Sequence, residues 1–448
     1  MEKRSIFAVL GRLMAALAML TLGAARAPAK DVTLDVRPEN RRILIPGPGE
    51  GTLQIQVIAP ELPPSADRRK LNLAVVIDRS GSMADARKLE YVKAAVHQLV
   101  DRMGPDDVLA LVAYDHQVQV PWPARRIDGN REALHRIVSS LYPGGRTFLS
   151  GGLEEGYRQA RAMRGRGYVS RVVLLSDGLA NVGVTSRGAL RERASMMSEQ
   201  GVSISTFGVG FDFDEELLAM TAAGGGGNYE YLGDPERIAA ALDREFRTAS
   251  RIAASEVEII IRLRPDCRFG TVLGREWRQE GDAYIIRLGD LSAGERRTVF
   301  AGLNVGGDRP GRREVGEVAL RYLDPATSKR VTAAVRPVSL ELVRDEALYK
   351  EGYDSAIQER KAVAQSGVLV QEAARLADQG KKEKAQELLG KAEAGLAAAP
   401  ASPDVRAEME RAGEYRNRLD SMTDMQSEEA KGVQKSIKYR SYEILNRQ

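Results

Sequence analysis

Three oxygen-bearing side chains follow a buried strand near residue 78. The segment 71–77 is almost entirely apolar, which predicts a strand buried on both faces of a parallel sheet. The strand ends at Asp78, and Ser80 and Ser82 follow at alternate positions on a turn that contains Gly81. One carboxylate and two hydroxyl oxygens are hard donors, which suit Mg²⁺, Mn²⁺ or Ca²⁺ rather than zinc.

Two later segments carry oxygen donors of the same kind. Thr147 follows the glycine pair Gly144-Gly145, and Asp177 follows the apolar run 172–175. Both aspartates come at the carboxyl end of a predicted strand, where open α/β sheets bind their ligands. The alternative is that the aspartates only cap turns or helices and that the serines are ordinary loop residues.

The D-x-S-x-S pattern, with the threonine and the second aspartate in this order, resembles the metal-ion-dependent adhesion site of von Willebrand factor type A domains. The resemblance covers about 70–248. It implies a bound Mg²⁺ (or Mn²⁺ or Ca²⁺) with one coordination position left for a Glu or Asp of a partner protein. The ligands implied by the resemblance are Asp78, Ser80, Ser82, Thr147 and Asp177.

Other polar residues lie beside these segments. Arg79 and Arg146 flank the implied ligands and would favour an acidic partner, although solvated arginines are the alternative interpretation. Capping of turns or helices is sufficient to explain four further residues. These residues are Asp115, His116, Asp212 and Asp214.

Three functions are compatible with such a site. The first is an exported protein-binding module, and the second is a structural protein of the cell envelope whose metal stabilises the fold. The third is a metal-dependent hydrolase, for which the sequence offers no general base beyond the ligands themselves. His97, His116 and His135 are the only histidines, and none belongs to an H-E-x-x-H pattern. We therefore predict that the chain is not an enzyme.

The first 29 residues have the pattern of a secretory signal peptide. A basic start is followed by the apolar stretch 13–22 and by small residues before Ala29, with cleavage after Ala25 as the rival site. An uncleaved anchor is the alternative, and Arg12 within the apolar region argues against it. We expect a periplasmic or extracellular protein with no membrane span in the mature chain.

Charge and cysteine content exclude other classes. The formal net charge of +4 includes +3 from residues 1–29, so the mature chain carries about +1 and is not an electrostatic nucleic-acid binder. No G-x-x-x-x-G-K-[ST] motif occurs, and the glycines at 224–227 are interpreted as a turn, so no nucleotide is expected. The only cysteine, Cys267, rules out an intramolecular disulfide and is predicted to be buried.

The remaining chain divides by its hydrophobic pattern. Residues 30–69 and 253–343 alternate apolar and polar positions as half-buried antiparallel strands do. We predict an α/β domain at 70–248, with a mostly parallel sheet and helices on both faces, inserted into one antiparallel β-sandwich. Residues 344–448 are rich in Ala, Glu, Lys, Gln and Leu, which predicts a helical carboxyl-terminal region.

The helical region allows two interpretations, a hairpin docked on the β-domain or a partner-binding module. Its predicted helices are 344–379, 381–397, 402–419 and about 424–446. The flanking β and helical segments also resemble, more loosely, bacterial exported proteins related to inter-alpha-trypsin inhibitor heavy chains and to so-called calcium-activated chloride channel homologues.

Overall fold

The computed structural model describes residues 31–63, 68–164, 167–327, 329–422, 424 and 427–446. The predicted signal peptide lies outside these residues. Among the helices described, none is long and apolar enough to cross a membrane. The described part of the chain begins with three strands, β1 (Thr33–Pro38), β2 (Arg42–Leu44) and β3 (Glu50–Ile58).

An α/β unit follows, with a six-stranded sheet in the order β6-β5-β4-β7-β8-β9. Five of its strands are parallel, and β6, which contains two prolines, pairs antiparallel with β5 at the edge of the sheet. The strands are β4 (Lys70–Asp78), β5 (Val108–Tyr114), β6 (Val118–Arg126), β7 (Tyr168–Ser176), β8 (Ser203–Val209) and β9 (Gly226–Leu232). The helices are α1 (Lys88–Arg102), α2 (Arg131–Ser139), α3 (Leu149–Arg161), α4 (Arg187–Glu199), α5 (Glu215–Gly225) and α6 (Ile238–Ser250).

Helices cover both faces of this sheet. Leu73, Val75 and Ile77 of β4 point into a core with α1, α2 and α6, whereas Ala74 and Val76 point into a core with α3, α4 and α5. Strand side chains alternate between the two faces, so burial on both sides requires the continuous apolar run seen in the sequence.

The strands on either side of the α/β unit form two further sheets. β3 pairs antiparallel with β14, and β2 adds to the edge of the second sheet as a parallel neighbour of β16. The two sheets have the orders β1-β3-β14-β11 and β12-β13-β10-β15-β16-β2. The later strands are β10 (Ile252–Leu263), β11 (Cys267–Val272), β12 (Trp277–Glu280), β13 (Ala283–Ser292), β14 (Arg296–Val305), β15 (Gly311–Asp324) and β16 (Lys329–Val343).

The two sheets share one apolar core. Cys267 is buried in that core, as predicted. The predicted fold class, an α/β unit with mixed sheets and a helical carboxyl-terminal region, is therefore confirmed. The short parallel pairing of β2 is an exception to the antiparallel pattern that we expected.

The carboxyl-terminal region is helical and packs on both other parts of the chain. Tyr442 enters the core beneath α5, and Leu445 packs with Phe300 of β14. The single helix predicted at 344–379 is wrong, because the chain breaks at Gly352–Asp354. There Tyr353 forms a β-bridge with Asn40, and the Asp354 carboxylate caps the next helix. The helices are α7 (Glu346–Glu351), α8 (Ser355–Asp378), α9 (Lys382–Ala398), α10 (Pro403–Ser421) and α11 (Glu428–Asn446).

Candidate metal centre

The three segments that carry the implied ligands meet at the carboxyl edge of the parallel sheet. Asp78 ends β4, Asp177 follows the neighbouring strand β7, and Thr147 lies just before α3. The amide of Gly81 donates to the carbonyl of Gly145 at 3.1 Å, and the amide of Asn181 donates to the carbonyl of Thr147 at 3.1 Å. Backbone hydrogen bonds thus connect all three loops to one another.

Direct side-chain contacts link the first and third loops. The Ser82 hydroxyl donates to Oδ1 of Asp177 at 2.9 Å, and the hydroxyls of Ser80 and Ser82 lie 3.3 Å apart. A β-carbon added at Gly178 would lie 3.1 Å from Oγ1 of Thr147 and 3.7 Å from Oδ2 of Asp78. Because Gly178 has no β-carbon, a small space remains between Thr147 and the carboxylate of Asp78.

Glycine is also required in the second loop. Gly145 has a φ of 71°, and a β-carbon there would overlap Nδ1 of His116. The left-handed conformation and this close approach both exclude larger residues. The glycine pair before Thr147 is thus explained by backbone geometry.

Asp78 is fully buried and has three hydrogen-bond donors around its carboxylate. The Ser176 hydroxyl donates to Oδ2 at 2.7 Å, the Tyr114 hydroxyl lies 3.3 Å from the same oxygen, and the Ser80 amide donates to Oδ1 at 2.8 Å. Burial raises the pKa of Asp78 to about 6, and the nearby Asp177 carboxylate adds to this effect, although the hydrogen bonds oppose it. A cation between the two carboxylates would favour their charged forms.

Lys88 is a charged neighbour that the sequence analysis missed. Its Nζ lies 2.7 Å from Oδ2 of Asp177, and both side chains are buried. The ammonium leaves the two aspartates with a combined charge of about −1. Lys88 is the first residue of α1, where the helix dipole disfavours a cation. This unfavourable position is the only feature of the sequence that could have indicated an anionic partner for Lys88.

Arg79 does not have the position that was predicted for it. Its side chain is buried, its Nη2 lies 3.0 Å from Oδ2 of Asp115, and its guanidinium lies 5.3 Å from the centre of the Tyr142 ring. The expectation that Arg79 is solvated or faces an acidic partner is therefore wrong, because Asp115 already neutralises it. Arg146 is exposed.

The predicted capping roles are partly confirmed. Asp214 caps α5 by accepting a hydrogen bond from the Leu217 amide at 3.0 Å. Asp115 accepts from the Gln117 amide at 2.8 Å, and this turn is formed in addition to its ion pair. Asp212 lies 3.5 Å from Nζ of Lys431 and contacts the helical region instead.

The donor chemistry of the cluster fits a hard divalent cation. Two carboxylates and three hydroxyls converge from the loops at Asp78, Thr147 and Asp177. Over the part of the chain that the structure describes, no group of three or more His, Cys, Asp or Glu side chains could hold a metal ion. Oxygen ligands of this kind prefer Mg²⁺, Mn²⁺ or Ca²⁺ to softer metals.

Comparison with known proteins agrees with the fold. A family model described as the von Willebrand factor type A domain matches residues 72–243. The uncharacterized protein sll0103 of Synechocystis is 27% identical over 305 residues, which are 65% of this chain and 71% of that protein. The uncharacterized protein YfbK of Escherichia coli is 29% identical over 245 residues, 53% of this chain and 42% of that protein.

Two more similarities concern animal and bacterial proteins. Inter-alpha-trypsin inhibitor heavy chain H2 of Mus musculus is 24% identical over 164 residues, 35% of this chain and 17% of that protein, so these heavy chains are among its relatives. The solved structure of a von Willebrand factor type A protein from Catenulispora acidiphila has a TM-score of 0.74 and 17% identity. It covers 93% of this chain and 97% of that protein, so the two share a fold.

Proposed function

Residues 72–243 form a von Willebrand factor type A domain, and we propose that the chain is an exported, metal-dependent module that binds a partner protein. Domains of this type are generally protein-interaction modules rather than enzymes. The proposed metal is Mg²⁺, with Mn²⁺ or Ca²⁺ as substitutes. The proposed ligands are Asp78, Ser80, Ser82, Thr147 and Asp177.

The convergence of five hard oxygens on one loop edge carries the proposal. The Ser82 hydroxyl bonds to Asp177, while Gly178 leaves space between Thr147 and Asp78. These residues come from segments up to 99 positions apart in the chain, so their meeting requires the whole sheet. Capping alone gives no reason for all three loops to direct oxygen donors to one point.

An acidic side chain is the partner group that this site would select. Two carboxylates with Lys88 beside one of them leave a divalent ion with residual positive charge. Neutral hydroxyl ligands do not quench this charge. A partner Glu or Asp would then gain a charge-assisted bond that a neutral ligand cannot form.

The rim of the site offers further contact groups. Tyr142 is 66% exposed and Leu179 is 57% exposed, and each belongs to a loop next to a proposed ligand. Arg146 lies between these two residues in the sequence. Its side chain is also exposed and would attract an acidic partner. We propose that the loops at 78–84, 144–150 and 177–184 form the recognition surface.

Two other functions remain as alternatives. A purely structural metal is disfavoured by the Lys88–Asp177 ion pair, which already neutralises the second carboxylate without a metal. A hydrolase would need a base close to the metal. His97 and His135 lie on α1 and α2 and contact each other through their Nδ1 atoms at 2.7 Å, so neither supports this role.

The experiment is a pull-down from a cell-envelope extract with the mature chain as bait. Binding of a partner in Mg²⁺ and its loss in a chelator support the proposal. Asp78→Ala should lose the partner while its circular dichroism stays that of the parent, because removal of one of two neighbouring carboxylates relieves repulsion. Equal capture with and without metal, or unfolding of the parent by chelator, would contradict it.

A further inference from the structure

A large cavity lies where the three parts of the chain meet. Its volume is about 1150 Å³, and its walls come from α4 and α5, from the strands β12 and β13, and from α8 and α11. This volume is slightly larger than that of most small-molecule sites, which measure roughly 300–1,000 Å³. The proposed metal ligands are not among its lining residues.

Arg275 on the wall of this cavity has no carboxylate within 4.0 Å among the described residues. It lies in the turn between β11 and β12, and its Nη2 donates to the carbonyl of Leu445 at 3.1 Å. Its Nε is buried and has no hydrogen-bond partner among the described residues. Burial lowers the pKa of Arg275 to about 10, and the neighbouring Arg297 guanidinium adds to this effect. The side chain therefore stays charged at neutral pH with one donor unsatisfied.

The other cations of the cavity are already paired. Apart from Arg275 and Lys435, every lysine and arginine that lines it has a described carboxylate within 4.0 Å. Lys435 donates to the carbonyl of Phe213 at 2.8 Å and lies over the ring of the same residue. Arg275 is thus the one cation in the described lining that has a buried donor without an acceptor.

We propose that the Arg275 end of this cavity binds a small molecule through an oxyanion, either a phosphate or a carboxylate group. A planar guanidinium presents parallel donors that match the paired oxygens of such a group. Unlike the other arginines of the lining, this guanidinium has no described carboxylate within 4.0 Å that would occupy its donors. A buried cation without a partner is costly, so an incoming anion would remove that cost.

The bound molecule would also join parts of the chain that are distant in sequence. Arg275 belongs to the β-sandwich, whereas Leu445, Tyr442 and Asn446 belong to α11 and line the same cavity. Tyr442 in turn accepts a hydrogen bond from the Tyr229 amide of the α/β unit at 3.1 Å. Binding at this point should therefore stabilise the docking of α11 on both other parts.

The test measures thermal unfolding of the whole mature chain without divalent cations, so it does not depend on the proposed metal site. Inorganic phosphate, pyrophosphate and citrate are titrated separately at constant ionic strength, to separate specific binding from screening. A saturable rise in Tm with phosphate or pyrophosphate identifies a phosphate ligand, and a rise with citrate alone identifies a carboxylate ligand.

Arg275→Gln should raise the half-saturating concentration by at least about tenfold, because it removes a charge-assisted pair. Without ligand this variant should be no less stable than the parent, since an unpaired buried cation is gone. Arg278→Gln is the matched control on the same wall, where Arg278 is already paired with Glu258 and Glu280. Its response should equal that of the parent.

Two results would overturn the inference. One is the lack of a saturable response of the parent to all three anions. The other is an unchanged response in Arg275→Gln. If that variant does not fold, Arg275→Lys decides the question, because it keeps the charge and loses the planar fork. An unchanged half-saturating concentration in Arg275→Lys would then refute the role of the guanidinium.

Discussion

Replacement of Lys88 by methionine should strengthen metal binding at the proposed site. The Nζ of Lys88 lies 2.7 Å from Oδ2 of Asp177, whose other carboxylate oxygen accepts from Ser82. A divalent ion held by Asp177 would therefore lie close to a buried ammonium, and the two cations repel each other. Methionine keeps a similar length and removes the charge.

The size of the effect follows from Coulomb's law. At a separation of about 5 Å and an effective dielectric constant of about 20, charges of +1 and +2 repel by roughly 7 kcal/mol. Even if relaxation and water screen about four fifths of this energy, the remainder of about 1.4 kcal/mol is a tenfold change in affinity. We expect the Kd for Mg²⁺ and Mn²⁺ to fall by at least about tenfold.

Without metal, the same substitution should lower the folding stability of the protein. Without Lys88 the buried Asp177 carboxylate loses its counter-ion, which typically costs about 3 kcal/mol of folding free energy. Calorimetric titration gives the affinity, and thermal unfolding with and without Mg²⁺ gives the stability. Lys93→Met is a matched control on the same helix, where Lys93 pairs with the exposed Glu90. Equal or weaker metal binding by Lys88→Met would refute the reasoning.

Three further predictions concern other parts of the structure. Arg146→Glu should weaken capture of an acidic partner and reverse the salt dependence of its association rate, measured by surface plasmon resonance. Burial raises the pKa of Glu215 from 4.5 to about 7, so folding stability should fall as pH rises between these values. In Glu215→Gln, the corresponding slope of Tm against pH should flatten. Arg171→Met should lower the free energy of unfolding by about 3–5 kcal/mol in urea titrations, because it leaves the buried Glu245 and the half-buried Asp290 without their shared counter-ion.

Local patterns were sufficient to predict the α/β unit and the approach of its loops. The run before Asp78 is apolar at nearly every position because both faces of β4 are covered. Asp78 directly follows this apolar run, so the sequence itself predicts that the aspartate lies at the carboxyl edge of the sheet. The same argument holds for Asp177 after β7.

Long-range charge pairs could not be predicted. Nothing in the sequence indicates that Arg79 has a partner, so a solvated side chain was expected. In the folded chain Asp115, which follows the neighbouring strand β5, neutralises it. Lys88 pairs with Asp177 across 89 positions, and no short motif encodes that distance. Side-chain partners of this kind depend on tertiary structure, which hydrophobic periodicity does not report.

Edge strands and breaks were missed for a different reason. The strands β2, β6, β11 and β12 lie at sheet edges. β2 has only three residues, and the other three strands have exposed polar residues, so their patterns differ little from those of loops. The glycines at 224–227 were interpreted as a turn. In the structure they end α5 and begin β9, with Gly226 in the left-handed conformation at the helix end.

The most direct test of the metal centre is anomalous diffraction from crystals of residues 30–448 soaked in Mn²⁺. The proposed arrangement predicts one strong peak bounded by the Ser80 and Ser82 hydroxyls, Thr147 and the carboxylates of Asp78 and Asp177, and loss of this peak in Asp78→Ala. A peak at His97 and His135 instead, or no peak between the three loops at saturating Mn²⁺, would contradict the account.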